Sequence, residues 1–149
     1  MIRIERLTAV TEDALAILEE YYEAVHVVVR DSAEKIQKLI EEPGSGLWLA
    51  YMQGEVVGCV LLRGLPSIPH SCECKRLYVK PSARGNRIAD KLLDALEESA
   101  RSQNLQWIYL DSYDDLKAAI AVYERRGYER CERYNSNPQA TLFMRKQIA

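Results

Sequence analysis

The residues with the clearest chemical potential form a short basic turn of sequence RGNRIA at positions 84 to 89. The turn follows an apolar run that ends at Pro81, which cannot donate to a sheet ladder, and precedes apolar residues at helical spacing. The unpaired N–H groups and positive dipole end of such a helix attract anions, and Arg84 and Arg87 add positive charge. Gly85 permits a positive φ or the close approach of a ligand to the backbone. The turn is therefore a candidate phosphate site, although an ordinary connection with solvated arginines fits the local pattern equally well.

The cysteines offer a second set of reactive side chains, at Cys59, Cys72, Cys74 and Cys131, without a CxxC pair. In a chain of this size without an export signal, they are expected to be reduced and to pack as small hydrophobic residues. His70 alternates with two of them and would share a strand face with them, but a defined fourth zinc ligand is lacking nearby. Packing is the favoured interpretation, and no metal site is predicted.

Length and composition favour one compact domain over residues 1–149. The chain has 149 residues, of which 48% are hydrophobic, enough for a real core but too few for two unrelated domains. Its formal net charge of −2 argues against a nucleic-acid partner, since such binding needs a concentrated basic face. The charged start MIRIERLTAVTED is unlike a secretory signal, and no apolar run approaches the ~18 residues of a spanning helix. We expect a cytoplasmic protein without a membrane partner.

Hydrophobic periodicity predicts an α/β domain with a mixed, mostly antiparallel sheet flanked by helices. An early half-buried strand precedes two helices. The predicted helix caps are Thr11 for the first helix, Asp31 or Ser32 for the second, and Asp114 or Asp115 for the last. The other predicted elements are a hairpin at 47–52 and 55–62, strands at 72–79 and 107–111, a helix at 87–102, and final strands near 128–134 and 141–148.

Three segments resemble the GNAT N-acetyltransferase superfamily. RLYVKPSARGNRIADKLLDAL is similar to the family's acyl-CoA-binding segment, in which a strand leads to a turn of pattern Arg/Gln-x-x-Gly-x-Gly/Ala. The fourth position of that pattern is Arg87 here instead of glycine. LDSYDDLKAAIAVYERRGY resembles the family's A-x-x-x-Y-x-x-x-G-F segment, with Tyr128 in place of phenylalanine. CERYNSNPQATLFM is similar to bacterial family members that carry YNxNP before their last strand.

The resemblance implies a GNAT-like fold in which the turn lies between the fourth strand and the third main helix. There it would hold the pyrophosphate of coenzyme A, mainly through backbone groups. Arg87 is predicted to begin the helix with a negative φ, where any L-residue fits. Backbone N–H groups at the end of the preceding strand would hydrogen-bond the thioester carbonyl or the pantetheine arm. The residues expected to bind acetyl-CoA are Leu77, Tyr78, Val79, Arg84, Gly85, Asn86, Arg87, Ile88 and Ala89.

The resemblance also implies catalytic roles for two residues. Tyr123 matches the family's general-acid tyrosine, which would protonate the departing thiolate, while core packing beside Leu116 and Ile120 is the structural alternative. Glu73 lies near a strand start where some family members place a general-base glutamate, and a solvated or paired glutamate is the other interpretation. Many family members have an asparagine seven positions before the tyrosine. This chain has Leu116 there, with Lys117 as a candidate substitute.

The function implied by the resemblance is acetyl transfer from acetyl-CoA to a primary amine. Direct attack in a ternary complex is expected, because no cysteine is placed to form an acyl-enzyme. The acceptor would be a small molecule or a peptide. The rival hypotheses are a non-catalytic acyl-CoA-binding domain with a regulatory or sensor role, and an α/β interaction module without activity. Since family members often pair through their C-terminal strands, a homodimer is compatible with the resemblance.

Overall fold

The sheet and its helices are described by a computed structural model that covers residues 1–27 and 29–149. The strands are β1 (Ile2–Arg6), β2 (Gly46–Met52), β3 (Glu55–Gly64), β4 (Ser71–Val79), β5 (Trp107–Ser112), β6 (Glu129–Cys131) and β7 (Leu142–Gln147). The helices are α1 (Glu12–Ala24) and α2 (Ala33–Glu41) between β1 and β2, α3 (Ile88–Ser102) before β5, and α4 (Lys117–Arg125) after it. A short 3-10 helix, Pro81–Ala83, links β4 to the turn before α3.

The seven strands in these two ranges form one mixed sheet in the order β1-β2-β3-β4-β5-β7-β6. Neighbouring strands are antiparallel, apart from β4 and β5, which are parallel. The β2–β3 hairpin turns at Gln53 and Gly54, which both have a positive φ. The predicted α/β class and the mixed, mostly antiparallel sheet are confirmed.

Helices cover both faces of the sheet and bury its apolar side chains. On one face, α3 packs Leu92, Leu93 and Leu96 against the strands. On the other face, α1 and α2 contribute Ile17 and Ile36 to a second apolar cluster. Full burial of each such side chain is worth on the order of 2 kcal/mol. Among the described residues, no helix combines the length and apolar character needed to cross a bilayer.

Capping side chains explain where the first two helices begin. Thr11 Oγ1 accepts a hydrogen bond from the N–H of Ala14 at 3.1 Å, as predicted. Ser32 Oγ accepts the N–H of Lys35 at 3.2 Å, so Ser32 is the cap of α2. The neighbouring Asp31 instead binds Arg76 of β4, as described below.

The start of α4 differs from the prediction. Neither Asp114 nor Asp115 is its N-cap, because the helix begins at Lys117 after Leu116, which makes no side-chain cap. A turn closed by the N–H of Leu116 and the carbonyl of Tyr113 at 3.0 Å contains both aspartates. Because residues 113–116 form this separate turn, they do not form the first turn of α4.

The last hairpin is also shorter than predicted. β6 has three residues within the predicted 128–134, and β7 lacks one residue at each end of the predicted 141–148. In the loop between them, Asn135 Oδ1 accepts the N–H of Asn137, and Asn137 Oδ1 accepts the N–H of Gln139, each at 3.1 Å. Such local side-chain bonds compete with the strand ladder and replace it here.

A buried carboxylate on α3 ties the end of α4 to β7. Glu97 is 2% exposed and accepts hydrogen bonds from Arg126 Nη2 at 3.0 Å, Lys146 Nζ at 2.9 Å and Tyr128 Oη at 3.0 Å. Burial alone would raise the pKa of Glu97, but hydrogen bonds from Arg126 and Lys146 and their charges outweigh it, so the pKa is lowered. This network fixes the position of α4 relative to α3.

We predict that Glu97→Gln destabilises the fold by roughly 3 kcal/mol at pH 7, because Lys146 loses its buried carboxylate and Arg126 keeps only Asp90 and Asp94. The folded-state pKa is lowered, so the stabilisation by Glu97 is present above the unfolded pKa of about 4.3 and is lost as pH falls below it. Urea unfolding from pH 7 to pH 3 should show the wild type and variant converging in acid. The exposed neighbour Glu98→Gln should stay within about 0.5 kcal/mol of wild type throughout. A constant Glu97 effect across this range would contradict the charge argument.

Candidate active site

The parallel strands β4 and β5 separate before β4 ends. In the described chain, their pairing covers Ser71–Glu73 of β4 and Trp107–Tyr109 of β5. Beyond this point β4 continues along β3 as far as Val79, while β5 continues along β7. The β5-facing edge of residues 77–79 therefore lies at an opening in the sheet, where backbone groups can meet a ligand.

A cavity of about 570 Å³, here called the first cavity, occupies the opening between β4, the basic turn and α4. Leu116 and Lys117, at the start of α4, form part of its opposite wall. Most of the residues that the sequence predicts for acetyl-CoA binding line this cavity, namely Leu77, Tyr78, Val79, Arg84, Gly85, Arg87 and Ala89.

Two further predicted residues have side chains directed elsewhere. Ile88 is 2% exposed and belongs to the core beneath α3. Asn86 donates its Nδ2 to the carbonyl of Ala83 at 2.9 Å, which closes the turn on itself. Any contact of Ile88 with a ligand would therefore come from its backbone.

The backbone of the turn faces open space at Gly85. Its φ is +89°, a conformation that glycine adopts readily, and no described atom lies within 4 Å of where a Cβ would be. Arg84 is held beside it by a hydrogen bond from its Nε to the carbonyl of Val79 at 3.2 Å. The turn thus combines an uncovered stretch of backbone with an adjacent positive charge.

The backbone conformation predicted for Arg87 is wrong. Arg87 precedes α3 with φ 58° and ψ 30°, in the left-handed region, and makes no side-chain cap. An L-residue in this region costs roughly 1–2 kcal/mol, and glycine avoids the cost. The glycine that the GNAT pattern places here is therefore a conformational requirement, which this chain meets at some energetic cost.

Tyr123 lies on a second cavity of about 210 Å³ that adjoins the first. Leu77, Leu116 and Ala119 line both cavities, so Tyr123 lies next to the point where the two meet. Its ring packs edge-on against Tyr128, with centroids 5.6 Å apart. Burial raises the pKa of the Tyr123 phenol well above its ordinary value, with smaller contributions from nearby Cys74, Tyr21 and Asp111. The phenol therefore keeps its proton at neutral pH.

Glu73 lies outside both of these cavities. It lines a third cavity of about 390 Å³, together with Arg63 and the loop at 134–137. The carboxylate is 1% exposed, and Tyr134 Oη donates to its Oε2 at 2.6 Å. Arg63 Nε lies 3.1 Å from Oε1 as an ion pair without hydrogen-bond geometry. Glu73 is therefore a paired, buried carboxylate rather than one that faces Tyr123.

The carboxylate on the same cavity as Tyr123 is Asp111, for which the sequence predicts no role. Asn135 Nδ2 donates to Asp111 Oδ2 at 2.6 Å and to Glu73 Oε2 at 3.3 Å. Lys75 Nζ lies 3.5 Å from Asp111 and 3.7 Å from Glu73. Asn135 and Lys75 thus connect the two carboxylates. The available signal was an acidic residue near the end of a strand whose preceding residues are apolar.

Cys74 also lines the second cavity. Burial raises the pKa of its thiol, with smaller contributions from Cys72, Glu97 and Glu73. A buried thiol of this kind does not form the thiolate that nucleophilic catalysis needs. The free thiols of Cys59 and Cys72 are buried as well, and burial raises the pKa of each to about 12.

Comparison with known proteins identifies the family. The model of the Acetyltransferase (GNAT) family matches residues 11–128. The chain is 32% identical over 105 residues to the uncharacterized N-acetyltransferase YjgM of Escherichia coli (strain K12), covering 70% of this chain and 63% of that protein. It therefore spans less than two thirds of the length of this relative. The chain belongs to the GNAT acetyltransferase family.

Solved structures support the same fold. The chain is similar to an acetyltransferase of the GNAT family from Staphylococcus aureus Mu50, with a TM-score of 0.83 and 19% identity over 99% of this chain and 100% of that one. It is also similar to the PaiA N-acetyltransferase from Thermoplasma acidophilum, whose structure is a complex with coenzyme A. That match has a TM-score of 0.75 and 16% identity, over 97% of this chain and 99% of that one. The predicted GNAT-like fold is confirmed.

We predict that Gly85→Val weakens coenzyme A binding at least tenfold, because valine disfavours the positive φ and fills the space beside the backbone. Arg87→Ala should weaken binding by about threefold or less, since it removes one exposed charge and leaves the backbone groups in place. Isothermal titration with coenzyme A measures both effects. The reverse ranking would contradict a turn that binds mainly through its backbone. Arg87→Gly should bind normally and unfold at a higher temperature, because it relieves the left-handed strain.

Proposed function

We propose that the protein transfers an acetyl group from acetyl-CoA to a primary amine by direct attack in a ternary complex. The observation that carries this proposal is the meeting of the first and second cavities at Leu77, beside Tyr123. A cofactor in the first cavity and an amine in the second would bring their reacting atoms together there. Family membership supports the same reaction class.

The first cavity suits the acyl-CoA molecule. Its basic end contains Arg84, Arg87 and the exposed backbone at Gly85, beside the N-terminus of α3, and these groups favour a pyrophosphate. Its other end lies along residues 77–79 at the opening between the strands. We propose that backbone N–H groups there hold the thioester carbonyl oxygen and stabilise the negative charge that develops on it.

In the proposed reaction, the lone pair of the amine nitrogen attacks the thioester carbonyl carbon, and the carbon–sulfur bond breaks. Tyr123 gives its phenolic proton to the departing sulfur. Asp111 takes the surplus proton from the nitrogen, directly or through a water molecule. Asp111 is the better candidate base because it lines the second cavity, whereas Glu73 reaches that cavity through Asn135 and Lys75. Glu73 then positions the network that holds Asp111.

The rival hypothesis of a non-catalytic acyl-CoA sensor requires the first cavity and makes no use of the second. The polar and ionisable groups of the second cavity, among them Tyr123, Asp111 and Lys75, favour catalysis. Direct transfer is preferred over an acyl-enzyme because burial raises the pKa of Cys74, the cysteine on this cavity. Whether the protein is cytoplasmic and whether it pairs through its C-terminal strands stay predictions.

The test of this proposal combines cofactor binding with turnover. Acetyl-CoA at a hundred times its dissociation constant should stabilise the protein by about 2.7 kcal/mol, seen as a rise in melting temperature. The protein should then be assayed with a panel of primary amines, and transfer to an accepted amine should release the free thiol of coenzyme A from acetyl-CoA. Tyr123→Phe should lower kcat about a hundredfold and leave the dissociation constant of acetyl-CoA within about threefold. Tyr51→Phe loses a phenol that binds Asp13 away from the cavities, and it should turn over normally.

The outcomes separate the hypotheses. Absence of any acetyl-CoA stabilisation would exclude both the enzyme and the sensor. Stabilisation without thiol release for any amine would favour the sensor. Unchanged turnover in Tyr123→Phe would exclude its role as the acid.

We also predict that Asp111→Asn lowers kcat at pH 7 by at least tenfold relative to wild type. Glu73→Gln should lower kcat by less than Asp111→Asn does. The reason is that Asp111 faces the second cavity and Glu73 acts through intermediaries. Steady-state kinetics with saturating acetyl-CoA measures both. Asp114→Asn, an exposed neighbour, is the matched control and should retain wild-type kcat. A larger loss in Glu73→Gln would restore Glu73 as the base.

A further inference from the structure

One wall of the second cavity contains an arginine in an unusual conformation. Arg76 lies within β4 at φ +57°, where one extra residue of β4 interrupts the register with β3 between Cys59 and Leu61. This is a β-bulge, which changes the direction in which a side chain points. A left-handed arginine inside a strand is strained, and such strain is concentrated at functional sites. Arg76, at the bulge, lines the same cavity as Tyr123.

The surroundings of Arg76 keep it charged and fixed. Its Nη2 donates to Asp31, which is also bound by Lys35 Nζ at 3.1 Å and by Tyr22 Oη at 3.3 Å. The guanidinium carbon lies 5.7 Å from the centre of the Tyr22 ring. Burial alone would lower the pKa of Arg76, but contacts with Tyr22 and Asp31 outweigh it and raise the pKa. The guanidinium is therefore a rigid cation at neutral pH.

Arg76 is the member of this ion-pair group that lines the second cavity. Its partner Asp31 lies outside the cavity and is shared with Lys35, whose side chain is 64% exposed. The Asp31 carboxylate is 6% exposed and the Arg76 side chain 18% exposed, so solvent screens the pair only partly. In addition, Arg76 Nε is buried and has no hydrogen-bond acceptor among the described residues. A buried donor without an acceptor is costly.

The remaining charges of the second cavity lie on its β5 side. Asp111 is there, with Lys75 between it and Glu73, and Arg63 pairs with Glu73 on the third cavity. The volume of about 210 Å³ is below the usual range of drug-sized ligand sites, so it suits a small molecule. A cavity with a cation at Arg76 and a carboxylate at Asp111 complements a molecule that has an anionic group and an amine.

We propose that Arg76 binds a carboxylate of the acceptor, so that the acceptors are small amines that carry a carboxylate, such as free amino acids. A guanidinium is suited to this role because its planar array of N–H donors matches a carboxylate. With the carboxylate at Arg76, the amine extends towards Asp111 and the meeting point of the two cavities. This inference rests on the proposed acetyl transfer, because it names the substrate class of the same site.

The alternative is that Arg76 is a structural group that only holds the segment containing Asp31. A structural group would affect all acceptors equally when it is changed. A carboxylate-binding group would affect only acceptors that carry a carboxylate. The two roles therefore differ in how the variant changes the ratio of the rate with a carboxylate-bearing acceptor to the rate with its uncharged counterpart.

The experiment compares matched pairs of acceptors, glycine with glycinamide and β-alanine with β-alaninamide. For wild type, kcat/KM should be at least tenfold higher for each acid than for its amide. In Arg76→Met, this preference should fall to about onefold, through a rise in KM for the acids. Arg76→Lys keeps the charge and should retain part of the preference. Arg3→Met, an exposed arginine on β1 paired with Glu5, should leave the ratio unchanged.

The wild-type ratio tests the inference even if Arg76→Met fails to fold. A wild type that accepts the amides as well as the acids overturns it, as does an Arg76→Met variant that keeps the full acid preference. Binding of glycine and glycinamide to the protein with coenzyme A, measured by calorimetry, gives a readout without turnover. Selective binding of the acid without acetylation of any amine would support Arg76 as a carboxylate site and count against the proposed enzyme. Acetylation of the amines without a preference for the acids would support the proposed enzyme and count against Arg76 as a carboxylate site.

Discussion

The separation of β4 from β5 is the constraint on which the rest of the site depends. Parallel strands normally satisfy each other's backbone groups along their length, and here that pairing covers three residues on each strand in the described chain. Both strands keep their other neighbours, so the sheet stays intact while an opening forms between them. The opening places backbone donors, the basic turn and α4 around one space. A site of this kind needs no loop insertion, because the divergence of two core strands creates it.

Holding that opening requires α4 to stay in place on its far side. The helix has nine residues and a modest apolar face, so its own packing supplies little stabilisation. The buried Glu97 network compensates by joining the residues just after α4 to α3 and β7. A second polar contact holds a wall of the first cavity, where Tyr113 Oη donates to the carbonyl of Val25 at 3.2 Å. Polar contacts between distant segments thus hold α4 beside the opening between β4 and β5, where packing of the apolar core alone does not fix its position.

The elements that follow local rules were predictable from the sequence. The β2–β3 hairpin, the caps at Thr11 and Ser32, and the long helix α3 depend on turn residues and periodicity that lie within a few positions of each other. Gly127, with φ +94° after α4, ends that helix, as is typical of a glycine that follows the last helical turn. The predicted turn and Tyr123 do line adjoining cavities.

What could not be predicted depends on contacts between distant residues or on backbone angles. The left-handed angle of Arg87 arises from the path between the turn and α3, and residue type alone suggests an ordinary helix start. The position of Glu73 along one strand makes it a candidate base, but whether a carboxylate faces one cavity or the next depends on β5 and the loop at 134–137. Arg76 gave no signal, because a β-bulge is determined by the register of pairing with another strand, here β3.

The two halves of the site are built from different chemical materials. The turn from Arg84 to Ala89 offers chiefly peptide groups, which every residue type supplies, whereas the second cavity is walled by side chains such as Tyr22, Arg76 and Gln139. Single substitutions in that wall can therefore retune selectivity without rebuilding the backbone turn. A library confined to the residues of the second cavity would leave the turn unchanged and would address the proposed acceptor site alone.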